Sequence, residues 1–251
     1  MFRPRLLPPY AALLLAAASC GDQNTKSPVT APGAEKSAKT KVLEAGADIL
    51  QGKAPLRQLD IYLDGFHFYS GNMQGQMEAH HFCQKLNEDV TQCVIYDGNG
   101  AGAKIMGIEY IVSRRLFEKL PAEEKKLWHS HSYEVKSGTL VAPGLPDVAE
   151  HELMEQIVST YGKTLHTWHT DRDKELPYGA PQLMMGFTQD GQADTTMVAR
   201  RDQRLNISSR EKRRQRADIQ APPVLPGANA WEKGEVRQFD VVDHATAGHA
   251  H

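Results

Sequence analysis

Eight of the eleven histidines in the chain lie between residues 67 and 169: His67, the adjacent His80 and His81, His129, His131, His151, His166 and His169. Imidazoles at that density can ligate a transition metal or move protons near neutral pH. With one residue between them, His129 and His131 present both rings on one side of an extended segment, and Glu134 follows closely enough to add a carboxylate. Such a set suits zinc, iron or manganese. His67, His80, His129, His131 and Glu134 therefore form the candidate divalent-metal site. Structural hydrogen-bond networks use the same residue types, so a polar cluster that only holds the fold is the alternative.

Neighbours on a strand point to opposite faces, so His80 and His81 cannot both serve one site. The same holds for Glu109 and Tyr110, two further candidates for supporting it. His151 lies one turn before Met154 on a helical stripe and reads as a satisfied histidine at the core edge. Trp128 and Trp168 read as core aromatics, each with an indole N–H to satisfy. There is no His-Glu-x-x-His helix, no phosphate loop and no Gly-x-Ser-x-Gly elbow, and the spacing and downstream glycine pattern of a cupin are missing.

For His129 and His131 to share a site, the helix that Pro121 opens over residues 122–128 must end at or before His129. If it continued, the rings would diverge by about 200° at about 100° per residue. Ser113 offers an N-cap for a short preceding helix. Asp147 does the same for a helix over 148–161, with Gly162 as its stop. Residues 42–50 read as a short amphipathic helix. Residues 65–69, 94–96 and 104–112 read as strands, with Ile105, Gly107, Glu109 and Ile111 on one face, as do 164–170 and 183–188. Strands and helices do not alternate regularly. The fold class is therefore α+β, a single mixed domain over residues 42–189 with a largely antiparallel sheet and short helices, flanked by disordered extensions.

The chain has 251 residues, with 29 basic and 31 acidic side chains, a formal charge of −2 and 40% apolar residues. No strongly basic field exists for nucleic acid, and no apolar run reaches the roughly 18 residues of a membrane-spanning helix. Residues 1–20 read as a signal peptide. Arg3 and Arg5 precede an apolar stretch that ends in Ala17-Ala18-Ser19-Cys20, which resembles the lipobox of bacterial lipoproteins, with Ala17 where that motif prefers Leu. Lipidation of Cys20 would hold the protein to a membrane surface of the bacterial envelope. Residues 21–41 contain one strong hydrophobe, Val29, and read as a flexible tether. Residues 190–251 read as a polar, partly disordered extension. Its cluster Arg200, Arg201, Arg204, Arg210, Lys212, Arg213, Arg214 and Arg216 lacks interleaved aromatics and reads as a solvated surface rather than a nucleic-acid patch. His244, His249 and His251 close the chain.

Several segments closely resemble the oil body-associated proteins of plants and their bacterial and fungal relatives. They are Glu78-Ala79-His80-His81-Phe82-Cys83, Gln92-Cys93-Val94-Ile95-Tyr96-Asp97, Gly107-Ile108-Glu109-Tyr110-Ile111, Leu127-Trp128-His129-Ser130-His131, Glu134-Val135-Lys136-Ser137-Gly138 and Pro181-Gln182-Leu183-Met184-Met185. The resemblance spans roughly residues 42–188. It implies lipid-droplet association in the plant relatives and brings no established reaction. Intracellular plant relatives resemble the chain at both Cys83 and Cys93, which implies reduced, buried thiols rather than the disulfide that an oxidising compartment would favour. Three function classes follow: an envelope lipoprotein that binds lipid or another apolar ligand, a metal-dependent enzyme built on the His/Glu cluster, and a structural or interaction protein.

Overall fold

The computed structural model describes residues 24–239. Helix α1 (Ala38–Leu50) leads into the long antiparallel strands β1 (Ile61–Tyr69), β2 (Asn72–Asn87), β3 (Val90–Tyr96) and β4 (Ile105–Val112). Short helices α2 (Arg114–Glu118) and α3 (Ala122–Lys125) follow, then β5 (His129–Ser130), α4 (Ser132–Ser137), α5 (Asp147–Ile157), β6 (Tyr161–His166) and β7 (Gln182–Met185). Helices α6 (Thr195–Leu205) and α7 (Ser209–Gln215) complete the order. The sheet runs β4-β3-β2-β1-β7-β6-β5, and β6 also pairs with β4, so β1, β2, β3, β4, β6 and β7 close into an antiparallel barrel. The expected α+β class with an antiparallel sheet is the observed one, and closure leaves β4 no free edge.

Alternation along each strand divides the side chains between the barrel interior and its outer face. Leu63, Gly65 and His67 of β1 point inward with Ala79, His81 and Cys83 of β2, Cys93 and Ile95 of β3, Gly107, Glu109 and Ile111 of β4, and Gly162, Thr164 and His166 of β6. The outward Phe66, Phe68, Leu183 and Met185 are covered with Phe187 by Met197 and Val198 of α6 and by Trp231. Ser113 caps α2 as expected, its side chain accepting from the Leu116 amide. Helix α5 stops at Ile157, earlier than the sequence pattern suggests, because Tyr161 and Gly162 belong to β6 and pair with Ser130 and His129.

Cys83 and Cys93 stand directly opposite each other in the β2–β3 register, Cα atoms 4.0 Å apart, and form a disulfide. The expectation of reduced thiols is thereby corrected. The flanking segments also differ from their reading. Val29 is buried, Ser27 Oγ donates to Asp97 at 2.6 Å and the Thr25 amide donates to Asn99 at 2.7 Å, so this part of residues 21–41 packs on the barrel instead of forming a tether. Beyond residue 189, Arg201 on α6 and Arg216 just after α7 are fully buried. The Arg201 guanidinium donates to the Asp64 carboxylate at 2.8 Å and to the Thr139 carbonyl at 2.9 Å. That of Arg216 donates to the Val135 and Leu140 carbonyls and to Glu150. Cys20 and the three C-terminal histidines lie outside the described residues. Among the described residues no helix is long and apolar enough to cross a membrane.

Arg201 neutralises a carboxylate that water cannot reach, so its loss leaves Asp64 uncompensated. Arg201→Ala is expected to destabilise the fold by about 3–5 kcal/mol in denaturant titration. Arg213→Ala, which breaks an exposed pair with Asp190, is expected to change stability by about 0–1 kcal/mol. Equal effects would contradict a structural role for the C-terminal helices.

Candidate metal centre

Strand β4 carries Glu109 into the barrel between Gly107 and Ile111, where its side chain is 2% exposed. Four imidazoles aim Nε2 at this carboxylate. His81 Nε2 lies 2.9 Å from Oε2 and His67 Nε2 lies 4.0 Å from it; His131 and His129 Nε2 lie 3.2 and 3.4 Å from Oε1. Glu134, on the first turn of α4, adds a second buried carboxyl, and ligand atoms of His129, His131 and Glu134 fall within 4.8 Å of one another. The same is true of His67, Glu109 and His129. A cavity of about 10 Å³, the room of about one water or ion, lies against His67, His81, Glu109, His131 and Glu134.

The elements meet the geometry that the sequence demands. Helix α3 ends at Lys125, and β5 holds His129 in extended backbone with the His129 and His131 ring centroids 5.1 Å apart. Glycine makes the space. A methyl group on Gly162 would overlap the Glu109 carboxylate and crowd the His129 ring, and one on Gly186 would press on Glu134 and His129. Gly162 is therefore a strand position that requires the lack of a side chain rather than a helix stop.

Hydrogen bonds fix the outer nitrogens. His81 Nδ1 lies 3.1 Å from the Ala79 carbonyl, which can only accept, so Nδ1 carries a proton. The Thr160 hydroxyl donates to the Ile157 carbonyl at 2.7 Å, and we assign His131 Nδ1, 2.8 Å from that oxygen, as the donor to it. Both rings thus aim Nε2 at the Glu109 carboxylate. His129 finds no hydrogen-bond partner for either nitrogen, and neither does Glu134 Oε2. His67 Nδ1 meets His166 Nε2 at 3.3 Å.

Electrostatics push the two carboxyls apart. Burial alone would raise Glu109, but the His129, His131 and His81 imidazoles ranged against it hold it well below the usual carboxylate range. Burial, helped by the Glu109 charge, raises Glu134 well above that range. Burial also lowers His67 and His131, and His166 to about 3. The two carboxyls are thus driven in opposite directions, Glu109 toward its ionised form and Glu134 toward its protonated one.

Of the expected site residues, His67, His129, His131 and Glu134 come together. His80 does not. Tyr69 pairs with Asn72 across a two-residue turn, and a uniform ladder from that pair would set Ile61 opposite His80. An irregularity between Phe68 and Tyr69 slips β2 so that Leu63 faces His81, which sends His81 inward and His80 outward. There His80 joins Tyr62, Asp64 and Glu78 beneath Arg201 and Arg204. Glu109, a supporting candidate in the sequence, is the central charge, and His81 and His166 complete the centre beyond the expected site residues. A carboxylate among Ile105, Gly107 and Ile111 was the signal for the first of them. His151 pairs with Asp218, and the Trp128 and Trp168 indoles donate to Glu124 and the Asp173 carbonyl.

A family model described as a protein of unknown function, DUF1264, matches residues 53–220. Oil body-associated protein 1A of Zea mays is 45% identical over 225 residues, covering 88% of the chain and 94% of the relative. Oil body-associated protein 1B of Arabidopsis thaliana is 42% identical, covering 87% and 92%. Oil body-associated protein 2A of Zea mays is 39% identical, covering 87% and 89%. No solved structure matches the chain.

Gly162→Ala is expected to displace Glu109 or His129 and so lower both thermal stability and metal content. Gly102→Ala, where nothing lies within 4 Å, should leave both unchanged. Equal behaviour of the two variants would show that Gly162 is not a spacing requirement of the centre.

Proposed function

The chain belongs to DUF1264, a family of unknown function related to the oil body-associated proteins, and we propose that its buried His/Glu centre binds a divalent transition metal and is its functional site. One observation carries this reading: His81 and His131, each with Nδ1 turned outward to an oxygen, converge with Nε2 on the buried Glu109 carboxylate. A metal cation between these groups would take the nitrogens and the carboxylate as its ligands. Separations of 3.2–3.4 Å match the edge of about 3.3 Å that ligands about 2.0 Å from a tetrahedral metal would span. The outward Nδ1–H bond is the usual support of a metal-bound histidine.

Imidazole and carboxylate donors without thiolate suit zinc, iron or manganese. Such a metal would supply Lewis-acid or redox chemistry. Glu109 provides charge, His129 and His131 provide neutral nitrogen with His67 or His81 beside them, and Glu134 holds a proton next to the same cavity. The metal-dependent enzyme is thus favoured over the purely structural cluster, because a structural network would satisfy both nitrogens of His129.

A second reading concerns the membrane. Val42, Leu43, Ile49 and Leu50 lie on one side of α1 and are 63–84% exposed, which suits a helix lying in a lipid surface. This supports attachment of a bacterial envelope lipoprotein through Cys20, and it agrees with the lipid association that the relatives' names carry.

Metal analysis of tag-free protein is expected to find about one divalent ion per chain, absent from the His129→Ala/His131→Ala variant, and chelator should lower the melting temperature of the parent only. Substoichiometric metal in both, with chelator-independent melting, would overturn the metal reading. Cys20→Ser is expected to move the protein from the membrane to the soluble fraction; unchanged fractionation would overturn the anchor.

A further inference from the structure

Above the buried centre, at the end of the barrel where the β2–β3 hairpin, the start of α2 and the end of α5 meet, lies a cleft of about 270 Å³. Its rim is polar, with Lys85, Glu88, Asp89 and Gln156, whereas its walls are apolar. Leu63, Ile111 and Ile157 line both the cleft and the small cavity that touches His67, His81, Glu109, His131 and Glu134. The two spaces therefore share three aliphatic side chains. Thr160 makes a second link, since it lines the cleft while its hydroxyl oxygen holds His131 Nδ1.

Resting on the metal reading, we infer that this cleft is the ligand chamber of the centre, and that it takes a slender molecule with an apolar chain and one oxygen-bearing end. Buried apolar walls select the chain, because removing methylenes from water is the main favourable term such walls offer. The small cavity selects the polar end: Glu134 Oε2, on its lining, is buried without a partner, and a purely apolar guest would leave it so. Size agrees, since 270 Å³ lies near the lower bound of small-molecule pockets, about 300 Å³, and admits a chain rather than a large ring system. The polar rim marks where the tail end meets water. A ligand entering head first would place its oxygen against the imidazole and carboxylate donors while its chain filled the space between Cys83, Ile111 and Leu153.

The test uses full-length protein loaded with cobalt(II) as a spectroscopic probe and titrated with azide and with straight-chain alkanoates of increasing length. Calorimetry on the metal-free protein runs in parallel. Alkanoates are expected to shift the cobalt bands, with affinity rising up to about fourfold per methylene until the cleft is full. Leu153→Trp and Thr91→Trp each fill the cleft from a different wall and lie away from the centre. Both should abolish the gain with chain length while leaving azide binding and cobalt content unchanged; two plugs keep the test intact if one fails to fold. Cobalt binding with chain-length-independent affinity, or with a gain that survives both plugs, would overturn the ligand chamber and leave the metal reading standing. Chain-length-dependent heat without a cobalt shift would overturn the link from cleft to centre. If cobalt does not bind, the metal reading falls, and calorimetry then decides the cleft alone: plug-sensitive, chain-length-dependent binding keeps it as a ligand site, and no binding removes it.

Discussion

An ionised carboxylate in the middle of a closed barrel is costly, because an ion removed from water loses several kcal/mol unless partners replace its hydration. Glu109 sits in that position, and much of the chain is arranged around it. Strands β1, β2 and β5 and the loop before α4 each send an imidazole to it. Gly162 on the neighbouring strand gives up its side chain to make room. Burial, helped by the Glu109 charge, holds the Glu134 carboxyl well above the usual carboxylate range. The central polar layer follows from one charge, and barrel closure by β4 and β6 keeps water from solvating that charge instead.

The outer face of β1 repeats the principle with the signs paired inside the protein. Asp64 is fully buried, yet Arg201 reaches it from α6, and Arg216 from beyond α7 reaches Glu150 on α5. These buried pairs fasten the C-terminal segment to the rest of the fold, together with the apolar packing of Met197 and Val198 of α6 on the cluster that holds Phe66 and Phe68. The contrast between the two clusters has chemical meaning. Arg201 and Arg204 already bring positive charge to the Asp64 cluster, whereas the groups ranged against Glu109 are imidazoles, which can serve as ligands to a cation.

Much of the centre was legible in the residues themselves. The spacing of His129 and His131 required the helix to stop short of them, and α3 does so because the backbone turns at Lys126 and Leu127 into β5. The strand periodicity of β4 placed Glu109 with Gly107 and Ile111, although its rank as the central charge depends on which strands close over it. The choice between His80 and His81 was not legible, because one irregularity in the hairpin decides it, and adjacent histidines look alike until the register is known. Arg201 and Arg216 were equally hidden: a run of arginines reads as solvated surface, and only the carboxylates and carbonyls supplied by β1, α4 and α5 make their burial tolerable. Val29 is the small counterpart, one hydrophobe in a polar segment that finds a pocket.

X-ray absorption at the metal edge of protein purified without an affinity tag and reconstituted with a single equivalent of metal tests the centre most directly. A site built by His129, His131 and Glu109 with His67 or His81 gives a first shell of nitrogen and oxygen at about 2.0–2.1 Å with the outer-shell scattering of several imidazoles. A first shell of oxygen alone without imidazole scattering, or sulfur at about 2.3 Å, would place the metal elsewhere and contradict a centre organised on Glu109.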